Sequence, residues 1–166
     1  MGSEAQEVIR PATAADWPAI WAMFQHVAAA GDAFAYDETT SEEVARKLWF
    51  DPPARAYVAV AGGQVLGTYY VRPNQPGRGD HVANGGYMVA AAARGRGLSS
   101  RMCGHSLETA RALGFRGMQF NYVVSTNTAA VKTWLKHGFE VIGRIPNGYR
   151  HAELGEVEVL IMYRPL

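Results

Sequence analysis

Hydrophobic residues recur along this chain with two different periods, and each change of period marks a predicted element. Residues 7–10 read as a short strand, and a helical pattern follows with Asp16 as its predicted N-cap and Pro18 in its first turn. The apolar face of this helix consists of Ile20, Met23, Phe24 and Val27. Residues 31–39 break the helical period and are predicted to form a loop.

A second helix and a strand hairpin are predicted next. Thr40 and Glu43 have the spacing of a capping box, so the helix is expected to run over residues 40–49. Residues 56–61 and 64–71 alternate as strands around Gly62 and Gly63, a pair suited to a two-residue turn. A loop is predicted over residues 72–79.

The third strand of this series, predicted over residues 81–89, leads directly into a glycine-rich turn and a helix. The turn consists of Arg94, Gly95, Arg96, Gly97, Leu98 and Ser99, and Gly114 is the predicted C-terminal cap of the helix. Glycine lets the backbone approach a ligand, a helix N-terminus offers unpaired N–H groups, and arginine matches phosphate oxygens. The pattern predicts a pyrophosphate cradle, although a plain tight turn has the same local pattern.

The remaining elements complete a mixed α/β order. Residues 118–123 alternate as a strand, with Met118, Phe120 and Tyr122 on one face, and a helical crossover makes this strand parallel to the preceding one. Asn127 is the predicted cap of the last helix, which Gly138 closes.

Two final strands are predicted over residues 139–145 and 156–163, with a loop over residues 146–155 between them. The prediction is therefore a single-domain α/β (α+β) fold over residues 7–166, after a flexible tail over residues 1–6.

Composition excludes several classes of protein. The 166 residues are 48% hydrophobic and 19% charged, as in ordinary globular proteins, and a net charge of +1 gives no reason to expect nucleic acid or a membrane surface. Cys103 is the single cysteine, so an internal disulfide is excluded, and the histidines lack metal-site spacing. Without a recognisable targeting segment, the cytoplasm is the expected location.

The glycine-rich turn resembles the Arg/Gln-x-x-Gly-x-Gly/Ala signature of the GNAT superfamily of N-acetyltransferases, with Ser99 where glycine or alanine is usual. A second stretch resembles the Asn-x-x-Ala-x-x-x-Tyr-x-x-x-Gly-Phe helix of that family. It contains Asn127, Ala130, Trp134, Gly138 and Phe139. The resemblance implies a mixed sheet with a splayed parallel strand pair and flanking helices, and acetyl-CoA as cosubstrate.

The resemblance also implies cofactor contacts. Backbone groups of Met88 and Val89 would hold the pantetheine arm and polarise the thioester carbonyl, and Asn127 would contact the arm. Trp134 stands where the family often has a tyrosine acid, and an indole N–H is a donor only. Either the thiolate then leaves unassisted, since a thiol is already fairly acidic, or another group such as Tyr122 or water protonates it. The full predicted cofactor set is Met88, Val89, Arg94, Gly95, Arg96, Gly97, Leu98, Ser99, Asn127 and Trp134.

A finer resemblance concerns the acceptor. The stretches around Asn84 and Asn121 resemble the yeast azetidine-2-carboxylate acetyltransferases, which implies a small amino acid or cyclic imino acid as substrate. The predicted acceptor-binding residues are Phe34, Tyr36, Asn84, Tyr87 and Asn121. The predicted catalytic residues are Asn121, Met88 and Tyr122.

Several alternatives stay open at this stage. The chain could be a CoA-binding protein without catalysis, or it could use a different acyl-CoA or act on a protein amine. The two asparagines could instead satisfy backbone groups at a splayed sheet edge. His81 is the one histidine placed to serve as a base, and a structural role for it is open too. The assembly could be a homodimer.

Overall fold

The computed structural model describes residues 6–166, so the predicted tail over residues 1–6 lies, except for Gln6, outside the described residues. The element order is the predicted one. The elements are β1 (Val8–Pro11), α1 (Trp17–Ala30), α2 (Glu42–Trp49), β2 (Arg55–Ala61), β3 (Gln64–Pro73), β4 (Val82–Val89), α3 (Leu98–Ala112), β5 (Gly117–Val124), α4 (Thr128–Lys136), β6 (Glu140–His151) and β7 (Gly155–Pro165).

The strands form one mixed seven-stranded sheet in the order β1-β2-β3-β4-β5-β7-β6. Strands β4 and β5 run parallel, as expected from the α3 crossover, and the other neighbours are antiparallel. Main-chain pairing between β4 and β5 is confined to Val82 with Gly117 and Ala83 with Met118. Beyond Ala83 the two strands splay apart, which confirms the predicted fold class and opens a cleft in the middle of the sheet.

Helices cover both faces of the sheet and create two apolar cores. The predicted apolar face of α1 is buried against α2 and β3, where Trp49 and Tyr70 pack. On the opposite face, Met102 of α3 and Trp134 of α4 pack against Phe120 of β5. The cleft between β4 and β5 therefore lies between two rigid cores.

Two predicted helix caps differ from the structure. Asp16 precedes α1, but its carboxylate accepts from the Thr13 backbone N–H at 2.7 Å and from Arg10 instead of capping that helix. The Arg10 guanidinium lowers the pKa of Asp16 to about 2. Helix α2 begins at Glu42, two residues later than predicted, because Ser41 and not Thr40 is its N-cap and accepts from Val44 N–H at 3.3 Å.

The predicted alternation in β5 fails after Phe120, where the pairing with β7 shifts its register. This irregularity turns Tyr122 outward, with 40% of it exposed, and places Val123 in the core at 8%. The predicted loop over residues 146–155 is also wrong in large part. Strand β6 continues to His151, because a second register shift between Ile145 and Tyr149 accommodates Pro146.

Within residues 6–166, no helix combines the length and apolar character needed to cross a membrane.

Candidate active site

The splay between β4 and β5 forms a cleft of about 920 Å³ that extends from the start of α3 to the loop after α1. Except for Arg96, every predicted site residue lines this cleft. The predicted residues that line it are Phe34, Tyr36, Asn84, Tyr87, Met88, Val89, Arg94, Gly95, Gly97, Leu98, Ser99, Asn121, Tyr122, Asn127 and Trp134.

Backbone N–H groups dominate the end of the cleft at α3, which we call the cofactor end. Gly95 and Gly97 have φ of +76° and +74°, a region that favours glycine, and Gly97 is the N-cap of α3. The first backbone donor of the helix is Arg101, which bonds Gly97 O at 3.2 Å. Among the described residues, the N–H groups of residues 95–100 have no hydrogen-bond partner and form a cradle that fits a pyrophosphate.

The two arginines of the turn differ in their relation to the cleft. Arg94 lines the cleft, whereas Arg96 lies outside the lining and offers its carbonyl to Arg101 Nη1 at 2.8 Å. The arginine at the first position of the motif is therefore the one placed to contact a phosphate.

Strand β4 presents an unpaired main-chain edge to the cleft. Ala90 N–H bonds Leu66 O at 2.8 Å, and Asn74 N–H bonds Val82 O at 2.8 Å. These two bonds show that the even-numbered residues of β4 direct their N–H and C=O groups toward β3. In an antiparallel ladder, alternate residues turn their N–H groups to the other side. Met88 therefore pairs with β3, and the N–H of Val89 faces the cleft.

Helix α4 provides the opposite wall of the cofactor end. Asn127 caps the helix by accepting from Ala130 N–H at 3.3 Å, which leaves its amide N–H groups for a ligand. Trp134 is 7% exposed, and its ring lies 4.7 Å from the Tyr87 ring and 4.9 Å from the Phe120 ring. The indole fills the core beneath the cleft.

Sequence reasoning missed Ser100, which also lines the cofactor end. Its hydroxyl lies 2.8 Å from Nε2 of His137 at the end of α4. Burial, with Lys136 and Arg164 nearby, lowers the pKa of His137. The hydrogen bond between Ser100 and His137 joins the start of α3 to the end of α4 beside the cradle.

Asn84 lies at the vertex where β4 and β5 separate. Its Nδ2 donates to Gln119 O at 3.0 Å and continues the lost main-chain pairing, while Tyr70 OH donates to Oδ1 at 3.0 Å. Burial raises the pKa of Tyr70 to about 12, so its phenol stays protonated as this donor. Asn84 thus both closes the vertex and keeps one N–H of its amide available.

The polar side-chain groups of Tyr87, Tyr122 and Asn121 already have partners within the protein. Tyr87 OH lies 2.6 Å from Ser106 Oγ, and burial raises the pKa of Tyr87 well above its usual range. Tyr122 OH donates to Gly148 O. The exposed Asn121 donates to the Asn74 side chain at 2.6 Å and accepts from Gln119 at 3.0 Å.

Aromatic rings form the other end of the cleft, which we call the acceptor end. Phe34 and Tyr36 were predicted there, but Trp49 and Tyr70 were missed. The Trp49 and Tyr70 rings meet edge to face at 4.8 Å, and the position of a Cβ on Gly86 would be 2.6 Å from Tyr70. Only glycine allows the two rings to reach β4 at this point.

The β6–β7 hairpin closes the acceptor end over the loop after α1. Ala152 N–H bonds Gly31 O at 2.9 Å, and Tyr149 OH donates to Phe34 O at 2.9 Å. His151 and Asp32 line the cleft beside this junction. His151 was missed because the hairpin was predicted to be a loop, and Asp32 was missed because no local motif marks it.

Three charged or titratable residues, His81, Asp37 and Glu38, lie outside the lining of this cleft. His81 is exposed in the turn before β4 and is outside the cleft lining. Asp37 and Glu38 line a separate groove of about 210 Å³ beside Trp21. Among the residues that the structure describes, Asp32 is the one carboxylate in the lining of the cleft.

Comparisons with known proteins agree with this geometry. The model of the acetyltransferase (GNAT) family matches residues 18–139. The structure of a GCN5-related N-acetyltransferase from Kribbella flavida is 46% identical, with a TM-score of 0.92 over 96% of this chain and 98% of that one.

Two further relatives are more distant. N-acetyltransferase aca1 of Schizosaccharomyces pombe is 34% identical over 86 residues, which are 52% of this chain and 41% of that protein, so the match spans less than half of it. A phosphinothricin acetyltransferase from Sinorhizobium meliloti, solved in complex with AcCoA, is 22% identical with a TM-score of 0.86 over 96% of this chain and 88% of that one. This last likeness shows the fold.

Proposed function

Because the chain belongs to the acetyltransferase (GNAT) family, we propose that it transfers acetyl to the amine of a small amino acid or cyclic imino acid. Family membership makes it an acetyl-CoA-dependent N-acetyltransferase and confirms the enzyme class and cosubstrate predicted from the sequence. What remains to be argued is the acceptor and the role of each residue.

The cofactor end supports binding of acetyl-CoA through the chain's own groups. The free N–H groups of residues 95–100 and the Arg94 guanidinium would hold the pyrophosphate, and the amide of Asn127 at the start of α4 would contact the pantetheine arm. The N–H of Val89 would donate to the thioester carbonyl oxygen, where negative charge develops when the amine attacks. The side chain of Met88 is buried in the core that α1 and α2 form on one face of the sheet.

The size and closure of the acceptor end favour a small molecule over a protein. The hydrogen bonds from Ala152 to Gly31 and from Tyr149 to Phe34 join the hairpin to the loop at this end. An extended peptide would need an open groove between these segments. The closed junction is the observation that carries the small-acceptor proposal.

The charges at the acceptor end favour a zwitterion. A polycationic acceptor needs several carboxylates, but Asp32 is the one carboxylate among the described lining residues, because Asp37 and Glu38 lie in the separate groove. The other polar groups there are neutral and include the amides of Asn84 and Asn121, the ring of His151 and the hydroxyl groups of Tyr36 and Tyr70. A single carboxylate beside neutral donors matches an amino acid, which carries one positive and one negative group.

An acceptor panel tests this proposal. Proline analogues, ordinary amino acids, polyamines, aminoglycosides and peptides are offered at equal concentration with acetyl-CoA, and release of free thiol is followed. We expect the highest kcat/KM for an acceptor with its own carboxylate. A higher kcat/KM for a polyamine, an aminoglycoside or a peptide amine would overturn the proposed acceptor class.

A further inference from the structure

We propose that His151 determines acceptor specificity by donating a hydrogen bond from Nε2 to the carboxylate of the acceptor. The inference rests on the proposed function, since it assumes an acceptor that carries a carboxylate. It assigns a role to a residue in the β6–β7 hairpin, which no sequence motif marks. His151 is half-buried at the end of β6 and lines the acceptor end of the cleft.

The hairpin turn determines which ring nitrogen carries the proton. Nδ1 of His151 lies 3.1 Å from the backbone N–H of Glu153 and 3.2 Å from that of Leu154, and both of these groups are donors. Nδ1 must therefore act as an acceptor, and the proton of the neutral ring lies on Nε2. The Nε2–H is then the one donor that the ring can offer to the cleft. Within residues 6–166, no protein group takes it.

This arrangement makes His151 a donor and not the base that removes the amine proton. Nδ1 already accepts from two backbone N–H groups, so the ring presents a donor at Nε2 and no free acceptor to the cleft. A donor held in one orientation instead suits a carboxylate oxygen, which only accepts when ionised.

The surroundings hold the ring rigidly in place. The Tyr149 ring lies at 6.4 Å in an edge-to-face arrangement, and Tyr149 OH bonds Phe34 O. The next residue, Ala152, bonds Gly31 O, and a Cβ on Gly31 would come within 2.8 Å of the Ala152 Cβ. The hairpin is thus fixed to the loop that carries Asp32. An amino acid bound here would have a carboxylate partner in His151 and an opposite charge for its amine in Asp32.

Two substitutions distinguish the roles of the two ring nitrogens of His151. In His151→Asn, the side-chain oxygen can replace Nδ1 and accept from the turn, as asparagine does in Asx turns, but the donor at Nε2 is lost. In His151→Gln, the longer amide can replace Nε2 as donor, but the acceptor for the turn is lost. The pair therefore distinguishes a role in the turn from a role in the cleft.

The expected results differ for the two variants. For His151→Asn, we expect a melting temperature near wild type and a KM for the amino acid about tenfold to a hundredfold higher, the usual worth of a hydrogen bond to a charged group. Its kcat and its KM for acetyl-CoA should stay near wild type. For His151→Gln, we expect a lower melting temperature and a KM for the amino acid near wild type. With the carboxamide of the same amino acid as acceptor, KM should differ little among wild type and the two variants.

The opposite pattern would overturn the inference. An unchanged KM for the amino acid in His151→Asn would show that His151 only stabilises the hairpin turn. A collapse of kcat in both variants would identify His151 as the base. The wild-type acceptor panel separates this failure from that of the proposed function. A panel preference for an amine without a carboxylate overturns both, whereas a preference for amino acids with the opposite variant pattern overturns the His151 inference only.

Discussion

The two ends of the cleft are built from different kinds of groups. The cofactor end consists mainly of backbone N–H groups in one continuous stretch, residues 95–100, helped by the neighbouring Arg94. The acceptor end collects side chains from remote segments, including Phe34, Trp49, Tyr70 and His151. The comparison indicates that changes of backbone conformation should damage the cofactor end, while changes of single side chains should alter the acceptor end.

The largest expected effect tests the backbone cradle. Gly97→Val places a β-branched residue at φ +74°, where a side chain costs about 1–2 kcal/mol, and blocks the approach of a phosphate. We expect affinity for acetyl-CoA to fall on the order of a hundredfold or more, measured by calorimetry.

The matched control lies at the other end of the same helix. Gly114 has φ +90°, and a Cβ there would meet nothing within 4 Å. Gly114→Val should therefore lower the melting temperature like Gly97→Val but leave the affinity for acetyl-CoA near wild type. Equal affinities for acetyl-CoA in the two variants would contradict the assignment of the pyrophosphate cradle to residues 95–100.

A smaller effect distinguishes the two arginines of the turn. Arg94→Ala should weaken acetyl-CoA binding about tenfold to a hundredfold, because a charge-assisted hydrogen bond is worth ~1.5–3 kcal/mol. Arg96→Ala should bind nearly as wild type, because Arg96 lies outside the cleft lining. Calorimetry on both variants decides this, and an equal loss would show that Arg96 also reaches the cofactor.

The vertex residue belongs to both ends, and its loss should affect the acceptor more. Asn84→Ala leaves Tyr70 OH and Gln119 O without their partner, so unfolding free energy should fall by about 1–3 kcal/mol and KM for the acceptor should rise. Asn121→Ala is the comparison, since Asn121 is exposed and bonds only side chains. Thermal denaturation and initial rates measure both variants. A larger stability loss in Asn121→Ala than in Asn84→Ala would contradict the role of Asn84 at the vertex.

The difference between the two ends of the cleft also explains which site residues could be predicted from the sequence. A cradle made from consecutive backbone groups must be encoded by consecutive residues, so the glycines and Arg94 predicted it, and the crossover predicted the parallel strand pair. Trp49 and Tyr70 lie in stretches whose pattern indicates burial alone. Nothing local shows that their rings meet across Gly86 and line a cleft.

Two register shifts account for the other misplaced residues. A period-2 pattern assigns each residue to a face on the assumption that the ladder is regular, and a bulge breaks that assumption. The shift after Phe120 reversed the faces of Tyr122 and Val123. The shift between Ile145 and Tyr149 let β6 continue beyond Pro146, and so it carried His151 to the acceptor end.

The smallest effect is expected at Trp134, which lies at the cofactor end but contributes a side chain. Its indole cannot act as an acid near neutral pH, and it is buried against the rings of Tyr87 and Phe120. Trp134→Phe should therefore keep most of kcat at saturating substrates, with a stability loss of about 1–2 kcal/mol from the smaller ring. Tyr122→Phe is the matched control, because Tyr122 is the other proton donor that the sequence offered for the thiolate and its hydroxyl bonds Gly148 O. Free-thiol release, with calorimetry to verify acetyl-CoA binding, measures both. If kcat is retained in both variants, the thiolate leaves unassisted or takes its proton from water, whereas a collapse in Trp134→Phe alone would contradict the packing role assigned to the indole.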